Sequence, residues 1–225
     1  YIGSILVHDM LKAGHKVIVL DNFMYKQSSL NHFCHDKNFE VIKGDVRVKE
    51  IILPLLKKSD IVIPLAALVG APLCKIDPVT AKTVNHDAII MMLKNLSKDQ
   101  LVLMPTTNSA YGSGDSNNYC TEESPLNPIS LYGRTKVQAE KIVMKNKNSV
   151  GFRLATVFGY SYRMRTDLLV NNFVFNSLKN RKLTLYEPHF RRNYIHVNDV
   201  VNGIVYTIKN FKNLKSNIYN LGLSS

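Results

Sequence analysis

The feature that most constrains the fold is an alternation of period along the chain. Short apolar runs rich in β-branched residues recur at Lys16 to Leu20, Phe39 to Lys43, Ile61 to Leu65, Leu101 to Met104 and Val150 to Leu154. The segments between them carry apolar residues at helical spacing. Continuous apolar strands separated by amphipathic helices are the pattern of a parallel sheet covered on both faces, so the expectation is an α/β fold with a doubly wound parallel sheet. Helices are expected over Ile5 to Ala13, closed by Gly14, over Pro78 to Leu96, with Asp77 as N-cap, and over Ser130 to Lys145. Beyond Gly159 the pattern changes. Helices are expected near Leu168 to Lys179 and Val197 to Lys209, with short strands near Leu183 to Tyr186 and Ile218 to Leu221.

A doubly wound sheet normally opens with a central strand and a glycine-rich turn. Only the tail of such a turn, Tyr1-Ile2-Gly3-Ser4, is present, so the first strand is expected to be missing. Its absence would leave backbone groups in the middle of the sheet without partners. The chain is therefore expected to be an excerpt, short of a strand at the front and of closing segments at the back.

Composition removes several classes of function. A chain of 225 residues with 45% hydrophobic content can bury a substantial core, which excludes a disordered segment. The longest apolar run, Ile61 to Cys74, is broken by Pro64, Gly70 and Pro72 and falls short of the ~20 residues of a membrane helix, so no membrane role is expected. The net charge of +12 comes from lysines scattered among asparagines, without a run of basic residues or interleaved aromatics. That describes a solvated basic surface with a local phosphate site, and no nucleic-acid partner. Cys34, Cys74 and Cys120 are odd in number and widely spaced, with no metal-ligand spacing. No metal is expected, and a reducing cytoplasm fits them.

The strongest chemical signal is Tyr132-Gly133-Arg134-Thr135-Lys136 at the start of a helix, because residues four apart share a face. An ammonium beside a phenol favours the phenolate and brings tyrosine toward use as a base. Taken alone, an amphipathic helix with a half-buried tyrosine and a solvated lysine satisfies the same spacing. The context favours chemistry: Thr107 lies 25 residues upstream, in Thr106-Thr107-Asn108-Ser109, just after the strand Leu101 to Met104. Hydroxyls at the carboxyl end of a strand sit where open parallel sheets bind ligands, although a serine- and threonine-rich turn is the plain alternative. Asp21 closes the strand Lys16 to Leu20, 18 residues after Gly3. That suits an acid bonding the adenosine ribose of NAD, and its charge disfavours a 2'-phosphate. Asp45 either meets the adenine or serves a tight Gly44-Asp45 turn. Leu65-Ala66-Ala67 either lets backbone approach a cofactor or packs against a helix.

These residues resemble the extended short-chain dehydrogenases that act on nucleotide sugars. The resemblance spans essentially the whole chain and rests on Gly3, Asp21-Asn22, Gly44-Asp45-Val46, Leu65-Ala66-Ala67, Asn85, Thr107, the Tyr132 and Lys136 pair, Phe152-Arg153-Leu154 through Gly159, and Arg192-Asn193-Tyr194-Ile195-His196. It implies residues 1–160 as a truncated NAD-binding Rossmann domain and 161–225 as a mixed region of substrate-binding segments and returning Rossmann elements. It implies Thr107, Tyr132 and Lys136 as the catalytic set. Gly3, Asp21, Asn22, Asp45, Val46, Leu65, Ala66, Ala67, Asn85, Tyr132 and Lys136 would surround NAD, and Thr107, Asn108, Arg165, Asn172 and Arg192 would meet a nucleotide-diphosphate sugar. Arg192 suits a diphosphate because guanidinium offers a fixed fork of donors, with a solvated loop pair Arg191-Arg192 as its plain alternative. A homodimer through Pro78 to Leu96 and Ser130 to Lys145 is implied as well.

Departures narrow the reaction. The 4,6-dehydratases carry an Asp-Glu pair directly after the catalytic threonine; Asn108 and Ser109 stand there instead, so elimination lacks its acid and base. Ser109 also replaces the cysteine of enzymes that epimerise carbons 3 and 5. Oxidation at carbon 4 remains. Ile63 to Cys74, Cys120 to Leu126 and Met164-Arg165 ahead of Asp167 resemble a subgroup that oxidises carbon 4 of GDP-heptose, and Thr156 departs from the asparagine of typical 4-epimerases. A nucleotide-sugar 4-epimerase is the first rival reading, and a non-catalytic NAD-binding scaffold the second.

Overall fold

A computed structural model of the protein describes residues 1–113, 119–185, 188–189 and 192–223. In chain order the elements are α1 (Ile2–Lys12), β1 (Val17–Asp21), β2 (Phe39–Lys43), α2 (Lys49–Lys57), β3 (Ile61–Val62), α3 (Ala71–Ile76), α4 (Pro78–Lys82), α5 (Ala88–Leu93) and β4 (Leu101–Thr107). There follow α6 (Leu131–Val143), β5 (Ser149–Leu154), β6 (Thr156–Phe158), α7 (Leu169–Asn180), β7 (Tyr194–His196), α8 (Val197–Lys209), α9 (Phe211–Leu214) and β8 (Asn217–Leu221).

The strands pair in parallel throughout. A central sheet runs in the order β3-β4-β5-β8, with β1-β2 and β6-β7 as separate pairs. No pairing joins β1 to β3 among the described strands. In β4 the register Val102↔Ser149 to Thr107↔Leu154 brings the whole strand alongside β5. Strand alternation then sorts the core into two layers. Leu103, Val150, Phe152 and Leu154 face α1 and α8, where Leu6, Met10, Val200, Val201 and Ile204 are buried. Val102 and Met104 point the other way, onto Ile52 of α2, Ile89 and Met92 of α5, and Ala139 and Val143 of α6. Each fully buried aliphatic side chain contributes about 1.5–3 kcal/mol, so this sheet holds its helices on both faces. The helix–sheet–helix layering matches the α/β expectation.

Several boundaries differ from the sequence reading. The expected strand Ile61 to Leu65 stops at Val62, two residues before Pro64, which brings no N–H to a ladder. The single helix expected over Pro78 to Leu96 is divided: α4 and α5 are joined by a π-helical turn at Thr83–Asp87, which widens the helix at Asn85. Strand β4 extends beyond Met104 to Thr107. No strand forms at 183–185, and Tyr186 lies outside the described residues. The β6-β7 pair was not foreseen, because each strand has only three residues and no visible period. Among the described residues no helix is long and apolar enough to cross a membrane.

Candidate active site

The helix that carries Tyr132 starts where Ser130 caps it, its Oγ accepting the Gly133 N–H at 3.0 Å. Tyr132 and Lys136 therefore occupy the first and second turns of one face. Gly133 lets that helix end press on the turn after β4: a Cβ there would stand 3.1 Å from the Ser109 carbonyl oxygen and 3.0 Å from Pro128. Gly112 closes the same turn with φ 72°, and a side chain on it would meet the Asn127 carbonyl at 2.2 Å. Thr107, at the carboxyl end of β4, accepts the Ser109 N–H at 3.1 Å on its hydroxyl, and that hydroxyl acts to favour the Tyr132 phenolate. Thr107 and Lys136 are buried, while the Tyr132 side chain is half-buried among Leu68, Cys74, Ala81 and Leu131.

The electrostatics differ from the sequence expectation of a lowered phenol pKa. Burial pushes the Tyr132 phenol up to about 12, Cys74 adds to that, and Arg165 and the Thr107 hydroxyl pull the other way. Lys136 is pushed down to about 8 by burial, against the pull of Glu140 upward. Low polarity around the site disfavours both charged forms, which outweighs the benefit that a shared helix face promised.

The cofactor residues expected from sequence fall into two groups. Gly3 opens α1 against Leu65, whose Cδ1 would stand 3.4 Å from a Cβ at Gly3. Helix α1 begins at Ile2, and backbone N–H groups at the start of a helix suit a diphosphate. Asp21 is exposed at the carboxyl end of β1; one oxygen takes the Phe23 N–H at 2.7 Å, and Asn22 accepts the Met24 N–H at 3.1 Å. Ala66 is exposed between half-buried Leu65 and Ala67, leaving the backbone after β3 approachable. This donor set fits a dinucleotide. Val46 is different, packing against the α2, α5 and α6 layer. Asp45 is already engaged: Arg47 donates Nη2 to Oδ2 at 2.6 Å and Nε to Oδ1 at 2.9 Å, holding the carboxyl below its usual range. Asn85 is spent as well. It accepts the Leu68 N–H at 2.8 Å and donates to the Leu68 carbonyl at 3.0 Å, which fixes the loop after β3 and makes Asn85 a clamp on that loop.

Among the substrate candidates, Arg165 is brought toward Tyr132, whose charge it feels, and is paired with Asp167. Its segment is fastened by Asn171, which accepts the Gly159 N–H at 2.9 Å and donates to the Arg165 carbonyl at 3.0 Å. Asn172, the residue expected from sequence, instead donates to the Thr166 carbonyl at 3.1 Å and accepts from Asn176 at 2.9 Å, so its amide serves the start of α7. Asn108 begins the short turn after Thr107 and is half-buried. Arg192 is exposed ahead of β7, next to Asn193, whose carbonyl takes the Thr156 N–H at 3.0 Å.

Sequence reasoning did not name Glu140 and gave Cys74 and Arg153 no role at the site. Cys74 carried no spacing signal. Arg153, however, is a charge within an apolar strand, and Glu140 follows Lys136 by one turn on the same face; buried charges of that kind require partners.

Comparison with known proteins places this geometry. The chain is 28% identical over 218 residues to UDP-glucuronic acid decarboxylase 1 of Xenopus tropicalis, covering 91% of this chain and 50% of that protein. It is 24% identical over 246 residues to the UDP-glucose 4-epimerase of Lactobacillus helveticus, covering 99% of this chain and 73% of that one. Its fold superposes on the crystal structure of UDP-glucuronic acid 4-epimerase from Bacillus cereus, solved with UDP-glucuronic acid and NAD, with TM-score 0.88 and 24% identity, covering 100% of this chain and 75% of that chain. The chain spans about half the length of the decarboxylases it matches. Residues 1–222 match the NAD dependent epimerase/dehydratase family. With the parallel sheet and Asp21 at the end of β1, that match means that the chain belongs to this NAD-dependent family.

Proposed function

We propose that the protein of which this chain is a part oxidises carbon 4 of a nucleotide-diphosphate sugar, with Tyr132 as the base. The observation that carries the reading is the start of α6, with Tyr132 and the buried Lys136 four residues apart, pressed through Gly133 onto the turn that follows Thr107 at the carboxyl end of β4. Thr107 orients the sugar's 4-hydroxyl and Tyr132 receives its proton. Arg165 stabilises the phenolate, and Lys136 holds a positive charge in a site where burial disfavours one. NAD, when bound, supplies the acceptor for the carbon 4 hydride. Gly3, Asp21 and the backbone at Ala66 hold it, and Asn85 acts through the loop it clamps.

Asn108 and Ser109 place no carboxylic acid beside Thr107, which favours release of a 4-keto sugar over dehydration. The finer reading is a 4-dehydrogenase like those acting on GDP-heptose. A 4-epimerase is the second reading, favoured by the match to UDP-glucose 4-epimerase. The proposal keeps residues 1–160 as the NAD-binding portion and 161–225 as the mixed portion. It places the protein in the cytoplasm with its cysteines free, and as a homodimer through the segments Pro78 to Leu96, where Val79 is 70% exposed, and Ser130 to Lys145.

The deciding experiment incubates the full-length protein and NAD with UDP-, GDP-, CDP- and dTDP-sugars, UDP-glucuronic acid included, and identifies products by mass and NMR. Net NADH with a 4-keto sugar supports the dehydrogenase, and an inverted sugar without net redox supports the epimerase. Loss of carbon dioxide from UDP-glucuronic acid also reports oxidation at carbon 4, because the resulting ketone stands β to the carboxylate. Binding of NAD with no change in any sugar overturns the catalytic reading in favour of the scaffold.

A further inference from the structure

The turn that follows Thr107 is fastened from behind by one hydroxyl. Tyr111, the last residue of the short turn Asn108–Tyr111, is buried, and its phenol is held from two sides. Arg153 of β5 donates Nη1 to it at 2.9 Å, and the phenol donates in turn to Asn220 Oδ1 of β8 at 2.6 Å. The guanidinium also stands 5.1 Å from the centre of the Tyr111 ring. Both partners are themselves held. Buried Arg153 donates Nη2 to Glu140 Oε1 at 2.7 Å and Nε to Oε1 and Oε2 at 3.1 and 3.2 Å, and its Nη1 also meets the Glu122 carbonyl at 2.9 Å. Thr106 of β4 donates to Glu140 Oε2 at 2.8 Å. Asn220 gives its N–H to Glu122 Oε1 at 2.6 Å. The Tyr111 hydroxyl thus ties the turn to a network that spans α6, β4, β5 and β8.

We propose that Tyr111 is a positioning residue for the reaction: gripped by Arg153 and Asn220, it fixes the turn whose Ser109 N–H aligns the Thr107 hydroxyl. The proposal rests on the reading of Thr107 and Tyr132 given above. Thr107 caps the turn, its hydroxyl accepting the Ser109 N–H at 3.1 Å. A hydroxyl engaged in this way as an acceptor keeps its single proton to donate to a ligand, in a direction that the turn sets. Ser109 lies two residues before Tyr111, and its carbonyl takes the Gly112 N–H at 3.4 Å, so a shift of the Tyr111 ring carries Ser109 with it. Among the described residues, no other side chain of the turn hydrogen-bonds to a strand. On its other side the turn packs against Gly133, the neighbour of Tyr132 at the start of α6. Joining α6, β4 and β5 requires no phenol at this place, because Arg153, Glu140 and Thr106 already link them. What the phenol adds is the turn.

The test is Tyr111→Phe in the full-length protein, which removes the hydroxyl, keeps the ring beside Arg153 and leaves Arg153 Nη1 on the Glu122 carbonyl. Amide hydrogen exchange at Ser109, followed by NMR, is expected to speed up relative to the Val102 and Phe152 amides of the strands. With a nucleotide sugar that the wild-type protein turns over, kcat is expected to fall by about 10²-fold, the scale of a misplacement of roughly one ångström, with NAD affinity unchanged. Thr107→Val separates positioning from packing, since it removes the hydroxyl that Tyr111 aligns. In that background Tyr111→Phe should cost nothing more in kcat, whereas a merely structural role gives the same fold-loss with and without the Thr107 hydroxyl. Equal losses in the two backgrounds, a wild-type kcat in Tyr111→Phe, or an unchanged ratio of Ser109 to strand exchange overturns the proposal. If the wild-type protein acts on no nucleotide sugar, the functional reading fails, and the exchange at Ser109 still decides whether Tyr111 holds the turn.

Discussion

Asn85 and Leu68, seventeen positions apart, are joined by two hydrogen bonds: the Asn85 carbonyl accepts the Leu68 N–H at 2.8 Å and its amide donates to the Leu68 carbonyl at 3.0 Å. A side chain in a π-helical turn therefore holds the backbone that follows β3, at a point where no strand pairing does so. The same amide reaches Thr135 Oγ1 at 3.4 Å, which ties the loop to the helix of Tyr132 and Lys136. Asn85→Ala leaves the buried Leu68 N–H unpaired, at about 1–3 kcal/mol, while the Leu68 carbonyl keeps only the Cys74 thiol as its partner. The expected outcome is a melting temperature lower by several degrees and weaker NAD binding, measured by thermal unfolding and fluorescence titration. An unchanged melt with unchanged NAD affinity would remove the clamp from the site.

Lys136 should be a stability liability. Its pKa in the folded chain is about 8 against an ordinary 10.5. Across that window the unfolded chain binds the extra proton, so the Lys136 contribution to stability rises with pH between those two values, and its burial penalty is in full force below them. Lys136→Met is expected to melt higher at neutral pH, lose the rise between those two values and lose turnover. A lower melt at neutral pH contradicts the sign.

Tyr132 behaves in the opposite sense. Its phenol is raised from 10 to about 12, so the stability that it contributes is present below the lower value and is lost as pH climbs through the higher. Tyr132→Phe removes that alkaline loss while leaving NAD binding intact. Turnover should fall by about 10²- to 10⁴-fold, the usual consequence of removing a general base. Steady-state kinetics with near wild-type kcat would exclude Tyr132 as the base.

Arg165 opposes the burial of Tyr132. In Arg165→Met the phenol is expected to rise further, and the acid limb of the kcat profile to move to higher pH. Asp167, the arginine's partner, is 65% exposed and remains hydrated, so stability should change little. A pH profile that superposes on wild type would separate Arg165 from the proton transfer.

The layered α/β architecture was legible because strand and helix periods differ and because buried parallel strands read as unbroken apolar runs. Val150 to Leu154 and Val197 to Lys209 formed almost as expected for that reason. The three-residue strands β6 and β7 were not legible, since their pairing depends on contact between distant segments. The site was legible as a set of residue types. Spacing named Thr107, Tyr132 and Lys136, but not Glu140 behind them; the resemblance named Asn172, and only the structure shows its neighbour Asn171 buried and bonded to Gly159 and Arg165.

By itself the sequence determined the alternation of elements, the helix face that carries a phenol and an amine, and the acid at the end of β1, because these depend on local period and spacing. Only the tertiary structure decided which charges are hidden from water. Burial depends on what packs over a residue from elsewhere in the chain. That is why Asp45 and Asn85 proved to be occupied by Arg47 and Leu68, and why the phenol of Tyr132 and the amine of Lys136 are both driven toward their neutral forms.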